Sequence, residues 1–326
     1  MRPITTALLA TTLAPTLAAI LAASSAVAAP TPPAFVAGTV TDAPLVGTIR
    51  DARTGAALTP EALAARIAAA DIVLLGERHD NPDHHALQAW AVSVAAADAP
   101  AGGLVLEMVR RDEAAPLADA TAGTDAAALG AALRWEANGW PDFAMYAPIL
   151  EAALDAGWSL HAGDAARTQM AALAQGDAAA LPYDERARLA LDRPLPEEGR
   201  ARLEQAIVEG HCGLLPDEAV PGFVVAQRLR DASLADALLA APAPAVLIAG
   251  AGHVGDEATP FYLAERAPER DVLAIAFVEA PPGGDDPTAL VPGFGTAEAP
   301  YDVAWFTPGV ARGDDCAELR GRFGGG

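Results

Sequence analysis

The ionisable residues of this chain with chemical potential recur at the same place in its pattern. Asp71-Ile-Val-Leu-Leu-Gly-Glu77-Arg-His79 passes from an apolar run into a carboxylate and an imidazole two residues apart. Gly103-Leu-Val-Leu-Glu107 repeats the arrangement with a second carboxylate, and Trp158-Ser-Leu-His161 followed by Asp164 makes a third. Ala245-Val-Leu-Ile-Ala249 then runs into Gly250-Ala-Gly252-His253, whose Gly-x-x-His spacing matches that of Gly76 and His79. Glu77, His79, Glu107 and His253 are donors enough for a divalent ion of the Mn, Co, Zn or Fe type, with positions left open for water or substrate. Without a metal the same set supplies an acid, a base and an orienting carboxylate. Singly, each residue also reads as a solvated cap or a hydrogen-bonded turn.

The elements that must position these groups follow from the apolar runs. Four consecutive apolar residues, several of them β-branched, predict strands buried on both faces, as in a parallel sheet. Gly76 lets the chain leave the first strand tightly, and Asn81-Pro82 supplies an N-cap and a first-turn proline for the next helix. Strands alternating with helices predict an α/β fold, a mostly parallel central sheet flanked by helices. Such a sheet gathers the residues at its strand ends along one rim. Residues 165–241 read as helices only, a helical insertion or cap between the third and fourth core strands. The core domain is expected over 58–280, after an N-terminal linker or edge segment at 29–57 and before a C-terminal tail at 281–326 with one strand.

Composition narrows the partners. The formal charge is −22 and every basic residue is Arg, so nucleic acid and anionic lipid are repelled. Residues 1–28 carry one Arg, a long Ala/Leu run broken by Pro15, and Ala26-Val27-Ala28 before Ala29: a signal peptide, not a membrane anchor. No cysteine stands at the cleavage site, so a soluble periplasmic form without stable membrane insertion is expected. Cys212 and Cys316 would then sit in an oxidising setting, either bonded to each other or as two free thiols. The segment from Trp135 to Tyr146, with Trp140 and Phe143 between them, holds four aromatic rings in twelve residues. It reads either as a buried cluster or as a wall for a flat ligand.

Gly-Glu77-x-His79, Leu-Glu107-Met, the tryptophan-containing segment with Tyr146, Gly-His211-Cys212-Gly, Gln227-Arg-Leu-Arg-Asp231 and Gly-x-Gly-His253 together resemble the ChaN-like haem-binding uptake proteins of the Tiki superfamily. The resemblance implies an exported, iron-related α/β protein that binds haem as a face-to-face pair between the subunits of a homodimer. Haem donor or acceptor proteins are implied as partners without being identified. More distant members include metal-dependent proteases and a metal-free macrolide esterase, so the alternative is a hydrolase, metal-dependent in the first instance, whose Glu77, His79, Glu107 and His253 hold a metal-activated water or work as base and orienters on a peptide or ester. An extracytoplasmic carrier handles ferric haem, which a Tyr phenolate binds well with a helping imidazole. On that reasoning Tyr146 is the candidate iron ligand, Trp140 and its neighbours the wall, and His211 and His85 the further imidazoles. Arg110, with Arg78, Arg111 and Arg167, is a candidate partner for the propionates. Tyr146 reads equally well as a core residue with a satisfied hydroxyl.

Overall fold

The computed structural model describes residues 30–37, 43–314, 316–317 and 320–321. The expected signal peptide therefore lies outside the described residues. The chain forms one eight-stranded sheet in the order β2-β1-β8-β7-β3-β6-β4-β5. β3 (Ile72–Glu77), β4 (Gly103–Arg110), β5 (Ser159–Asp164), β6 (Ala245–Gly250), β7 (Val272–Ala280) and β8 (Val303–Pro308) run parallel, and β1 (Ile49–Asp51) and β2 (Ala57–Leu58) are antiparallel at one edge. The α/β class and the mostly parallel sheet are as the alternating pattern predicts.

Every residue of β3 and β4 is buried, which explains their continuous apolar runs: helices cover both faces, leaving no solvent side to record an alternation. One face is covered by α1 (Pro60–Ala69), α2 (Pro82–Ala96) and α5 (Phe143–Asp155), packed with Leu63, Ile67, Leu87, Ile149 and Leu150 over Val73, Leu75, Leu104 and Leu106. The other is covered by α9 (Val220–Ala240) and α10 (Thr259–Arg266), whose Leu229, Leu234, Leu238 and Tyr262 meet Leu74, Val105 and Leu247. α2 starts as predicted: Asn81 accepts a hydrogen bond from the Asp83 amide and Pro82 takes the first turn.

The block between β5 and β6 is helical throughout: α6 (Arg167–Ala174), α7 (Tyr183–Arg188), α8 (Glu197–Gly210) and then α9. α9 is shared, since its buried side packs on the sheet while its first turns face the other insertion helices. The Ala-rich segment 111–133 is divided into a 3-10 turn, α3 (Ala115–Ala118) and α4 (Ala126–Ala132). Asp125 caps α4 by accepting from the Ala127 and Ala128 amides, a local competitor to helix continuation.

The C-terminal tail is fastened at two points. Arg312 pairs with Asp80, in the turn after β3, and with Glu279 near the end of β7. Cys316 is disulfide-bonded to Cys212, at the end of α8, across a sequence separation of 104. Of the two alternatives left open for the cysteines, the structure contains the bonded one.

Candidate functional site at the sheet rim

β3, β6 and β4 are neighbours, so their ends bring Glu77, His253 and Glu107 together although more than a hundred residues separate the last two. Two glycines permit the closeness. A Cβ on Gly76 would lie 2.4 Å from a Val254 methyl, and one on Gly250 would lie 3.1 Å from the His79 ring.

Glu77 and Glu107 each hold a separate half of the cluster. Glu77 Oε1 accepts from His79 Nδ1 at 2.9 Å and from the Tyr146 hydroxyl at 3.0 Å. His85 Nδ1 stands 2.6 Å from Glu77 Oε2 but off the hydrogen-bonding direction, so that oxygen has an ionic neighbour and no hydrogen bond. The His85 ring faces Gln88 Oε1 at 3.1 Å and the His79 carbonyl at 2.9 Å instead. Glu107 Oε1 accepts from Arg230 Nη2 at 2.6 Å and lies 3.2 Å from His253 Nε2, while Oε2 accepts from the Gly250 amide at 2.7 Å. His253 Nδ1 donates to Asp231 at 2.6 Å, and Arg230 Nε donates to Asp164 at 3.1 Å.

Burial by itself would raise the carboxyls and lower the imidazoles; the mutual charges decide the outcome. Burial pushes Glu107 up, but His253 and Arg230 hold it well below the usual carboxylate range. Burial likewise pushes Glu77 up, and His85 with His79 brings it below its ordinary value. Desolvation pulls His253 down, yet Glu107 and Asp231 carry it up to about 9. His79 and His85 are raised in the same manner, against burial, by Glu77 and, for His79, Glu107 as well. The four carboxyl groups Glu77, Glu107, Asp164 and Asp231 thus face Arg230 and three imidazoles (His79, His85, His253) whose pKa values are all raised, so the cluster is largely satisfied within itself.

That arrangement does not fit a divalent ion. Both oxygens of Glu107 are spent, Arg230 places a fixed positive charge inside the donor set, and among the described residues no group of three or more His, Cys, Asp or Glu is arranged to hold a metal. The opening belongs to His79, whose side chain is 36% exposed while its Nε2 is 4.0 Å from Glu107. One imidazole, oriented by a buried carboxylate and open on its other side, is an acid–base arrangement.

The remaining sequence candidates lie elsewhere or face inward. Tyr146 is fully buried, and burial together with the adjacent Glu77 raises its phenol far above the ordinary value. In this structure its hydroxyl is turned inward onto Glu77 and does not face solvent. In the aromatic segment Trp135 packs on Phe143 and Tyr146 in the core, while the partly buried Trp140 donates its indole N–H to the Met108 carbonyl and meets His79 edge-on. His85 is buried within the cluster. His211 bonds the Ile207 carbonyl and meets Phe223 in the insertion. Arg110 pairs with Glu113, and Asn138 accepts a further bond from it. His161 bonds Ser159 at the opposite end of β5 and takes no part in the cluster.

Arg230 and Asp231 are functional neighbours that single-residue reading passes over. Their sequence signal is a polar pair in an otherwise apolar-faced helix: Asp231 is 1% exposed, and Arg230 reaches the rim from beside it.

The fold and this rim define a class: an α/β protein with a buried Glu/His cluster at the carboxyl ends of three adjacent parallel strands. The model of the haem-binding uptake family of the Tiki superfamily, ChaN, matches residues 63–263. The chain belongs to that family. Among solved structures it is similar to the cofacial haem complex of ChaN from Campylobacter jejuni, at 19% identity and a TM-score of 0.61, covering 79% of this chain and 95% of that one. It is also similar to the type III effector HopBA1, at 13% identity and a TM-score of 0.42 over 76% and 92% of the two chains. An erythromycin esterase in its open conformation follows at 16% identity and a TM-score of 0.38, over 71% and 77%. No curated protein matches the chain.

Proposed function

We propose that this protein is an exported haem carrier that takes ferric haem onto its helical insertion and passes it on in iron uptake, working as a homodimer. The observation that carries the reading is the contrast among the tyrosines. Tyr146 and Tyr262 are fully buried and Tyr301 is pushed up to about 12 by burial, whereas Tyr183 is 72% exposed at the start of α7. Beside it α6, α7 and α9 enclose a cleft of about 310 Å³ lined by Leu173, Leu181, Leu191 and Val225, with Arg186 and Arg228 among its walls. Arg186 Nε is buried there without a hydrogen-bond partner, an unmet donor that a propionate would satisfy.

A cleft of that size holds the edge of a porphyrin and leaves one face uncovered. A second haem on a second copy of the chain would cover it, in line with the cofacial pair of the Campylobacter jejuni protein. The exposed Phe223 and Leu214 supply apolar area for such a contact. Export is supported by the disulfide, which persists in oxidising compartments. No helix among the described residues is long and apolar enough to cross a membrane.

Titration with hemin should shift the Soret band to saturation, and Tyr183→Phe should remove the phenolate charge-transfer bands while Tyr146→Phe keeps them. An additive spectrum, or loss of the bands with Tyr146→Phe alone, returns the ligand to the rim or removes haem altogether.

The rim favours a second, metal-free reading on one observation: His79 is the partly open imidazole of a cluster otherwise sealed, and Glu77 fixes its Nδ1–H. As a base towards water it would hydrolyse an ester or peptide, with Glu77 orienting the ring and stabilising its charged form. A chelator-insensitive esterase or peptidase activity abolished by His79→Ala would establish it; a wild-type protein inert towards a broad ester and peptide panel would remove it.

A further inference from the structure

We propose that the groove between the β4–α3 connection, β5 and α9 binds a small amphipathic carboxylate, whose charge meets Arg111 and whose carbon chain lies on Leu117, Leu160, Ala162 and Ala237. This groove has a volume of about 400 Å³ and is separate from both the rim cluster and the insertion cleft.

Charge is the first argument. Asp236 on α9 receives three guanidiniums: Arg188 and Arg266 (2.7 Å) on Oδ1 and Arg111 on Oδ2 at 2.9 Å. Three guanidiniums face one carboxylate, and with Glu185 acting on Arg188 as well the local excess is one positive charge, in a chain whose overall balance is −22. Asp236 itself stays ionised: burial pushes it up, and the Arg188 and Arg266 hydrogen bonds bring it below the ordinary range. Its single charge is therefore fully committed and cannot neutralise the cluster.

Unspent donors are the second. Arg111 uses only Nη2, on Asp236 and on the Ser233 carbonyl. Its Nε and Nη1 make no hydrogen bond among the described residues, and its side chain is 34% exposed. On the groove wall His161 uses one ring nitrogen on Ser159 at 2.8 Å, and burial lowers its pKa, so it is neutral and offers a directional contact without adding charge.

The groove's composition sets the ligand class. Apart from Arg111, His161 and Asp236 its lining is entirely Ala and Leu. A bare inorganic anion would leave that surface wet, and a neutral hydrocarbon would leave the excess charge unanswered. A short-chain carboxylate meets both needs, since charge-assisted bonds to a guanidinium are the strong ones and the apolar body leaves water.

The test uses the full chain, with hexanoate, hexanol and inorganic phosphate as probes in ligand-observed NMR and calorimetry. Hexanoate should saturate one site, with hexanol at least about tenfold weaker and phosphate unable to displace hexanoate at equal concentration. Arg111→Gln should weaken hexanoate at least about tenfold. Ala118→Trp, at an exposed position on the groove wall, should block binding with the Arg cluster intact and the fold undisturbed. Equal binding of hexanoate and hexanol, displacement by phosphate, no saturation by hexanoate, or indifference to both substitutions would each overturn the proposal.

Discussion

The sheet rim and the helical insertion hold the two concentrations of functional groups in this molecule, and they are built on opposite principles. At the rim, charged side chains are sealed from water and satisfied by one another; Glu77, Glu107, Asp231 and His253 are each less than a twentieth exposed. In the insertion, Tyr183 is 72% exposed, and Phe223, Val225 and Leu214 each leave more than a third of their surface to solvent. A closed cluster holds protons in fixed places. An open apolar surface with a phenol and arginines takes up a flat ligand. The proposed haem site uses the second kind of surface, even though the rim carries the more conspicuous motifs.

The contrast breaks most visibly at Glu107. Glu107→Gln keeps the size and removes the charge that Arg230 and His253 share, leaving two buried cations under-compensated. Breaking a buried ion pair from one side costs about 3 to 5 kcal/mol, so urea unfolding should show a loss in that range, with the hemin spectrum of any folded protein unchanged. A loss below about 1 kcal/mol would mean that the rim is solvated and that its balance is not structural.

The insertion depends instead on a covalent tie. The disulfide joins α8 to the tail over a separation of 104, and a loop of that length, when opened, typically costs about 2 to 4 kcal/mol. Replacing both cysteines by Ser should lower stability by that amount and weaken hemin binding more than it perturbs the rim, with His253 titration by NMR as the control. Equal effects on both regions would show that they unfold as one unit and sink the distinction.

How much of this could be read from the chain alone depends on what kind of force made each part. The parallel strands and their convergent ends were readable because burial on both faces leaves a continuous apolar run, and Asn81-Pro82 marked a helix start that the structure reproduces. The placement of His161 was not, because it lies mid-strand, bonded back to Ser159, while Asp164 ends the same strand at the rim. Tyr146 stayed ambiguous in sequence for a related reason. An aromatic-rich segment has the same composition whether it lines a pocket or fills a core, and only the packing of α5 against the sheet decides. The partners Arg230 and Asp231 come from a helix more than a hundred residues after Glu107, a pairing that tertiary structure alone supplies.

A pH series distinguishes the regions without mutation. His253 is raised to about 9 in the folded protein, from 6.5. A raised folded value means that stabilisation is complete below pH 6.5 and drains away as the pH rises from about 6.5 through 9. At about 1.4 kcal/mol per tenfold, the gap corresponds to roughly 3 kcal/mol, shared with Glu107 and Asp231 and so not additive with the Glu107 substitution. Unfolding free energy should fall over that window, and His253→Asn should flatten the fall. A wild-type protein equally stable at pH 6 and pH 9.5 would place His253 in water, against its 4% exposure.

The smallest effect expected is at Tyr146, and it separates the two readings of haem most cleanly. Its hydroxyl donates to Glu77 at 3.0 Å, and the ring packs on Trp135 and His85. Tyr146→Phe keeps the ring, so the loss is one hydrogen bond to a charged acceptor, about 1.5 kcal/mol. Because Glu77 then has one donor fewer, its carboxylate is less well held, and the raised pKa of His79, which depends on that carboxylate, should remain above ordinary while moving slightly further up as Glu77 turns to it alone. The measurement is an imidazole titration followed by NMR, together with the hemin spectrum of the same sample. A small stability loss with a perturbed His79 and an untouched Soret band assigns Tyr146 to the rim, whereas an altered Soret band with His79 unmoved would assign it to iron.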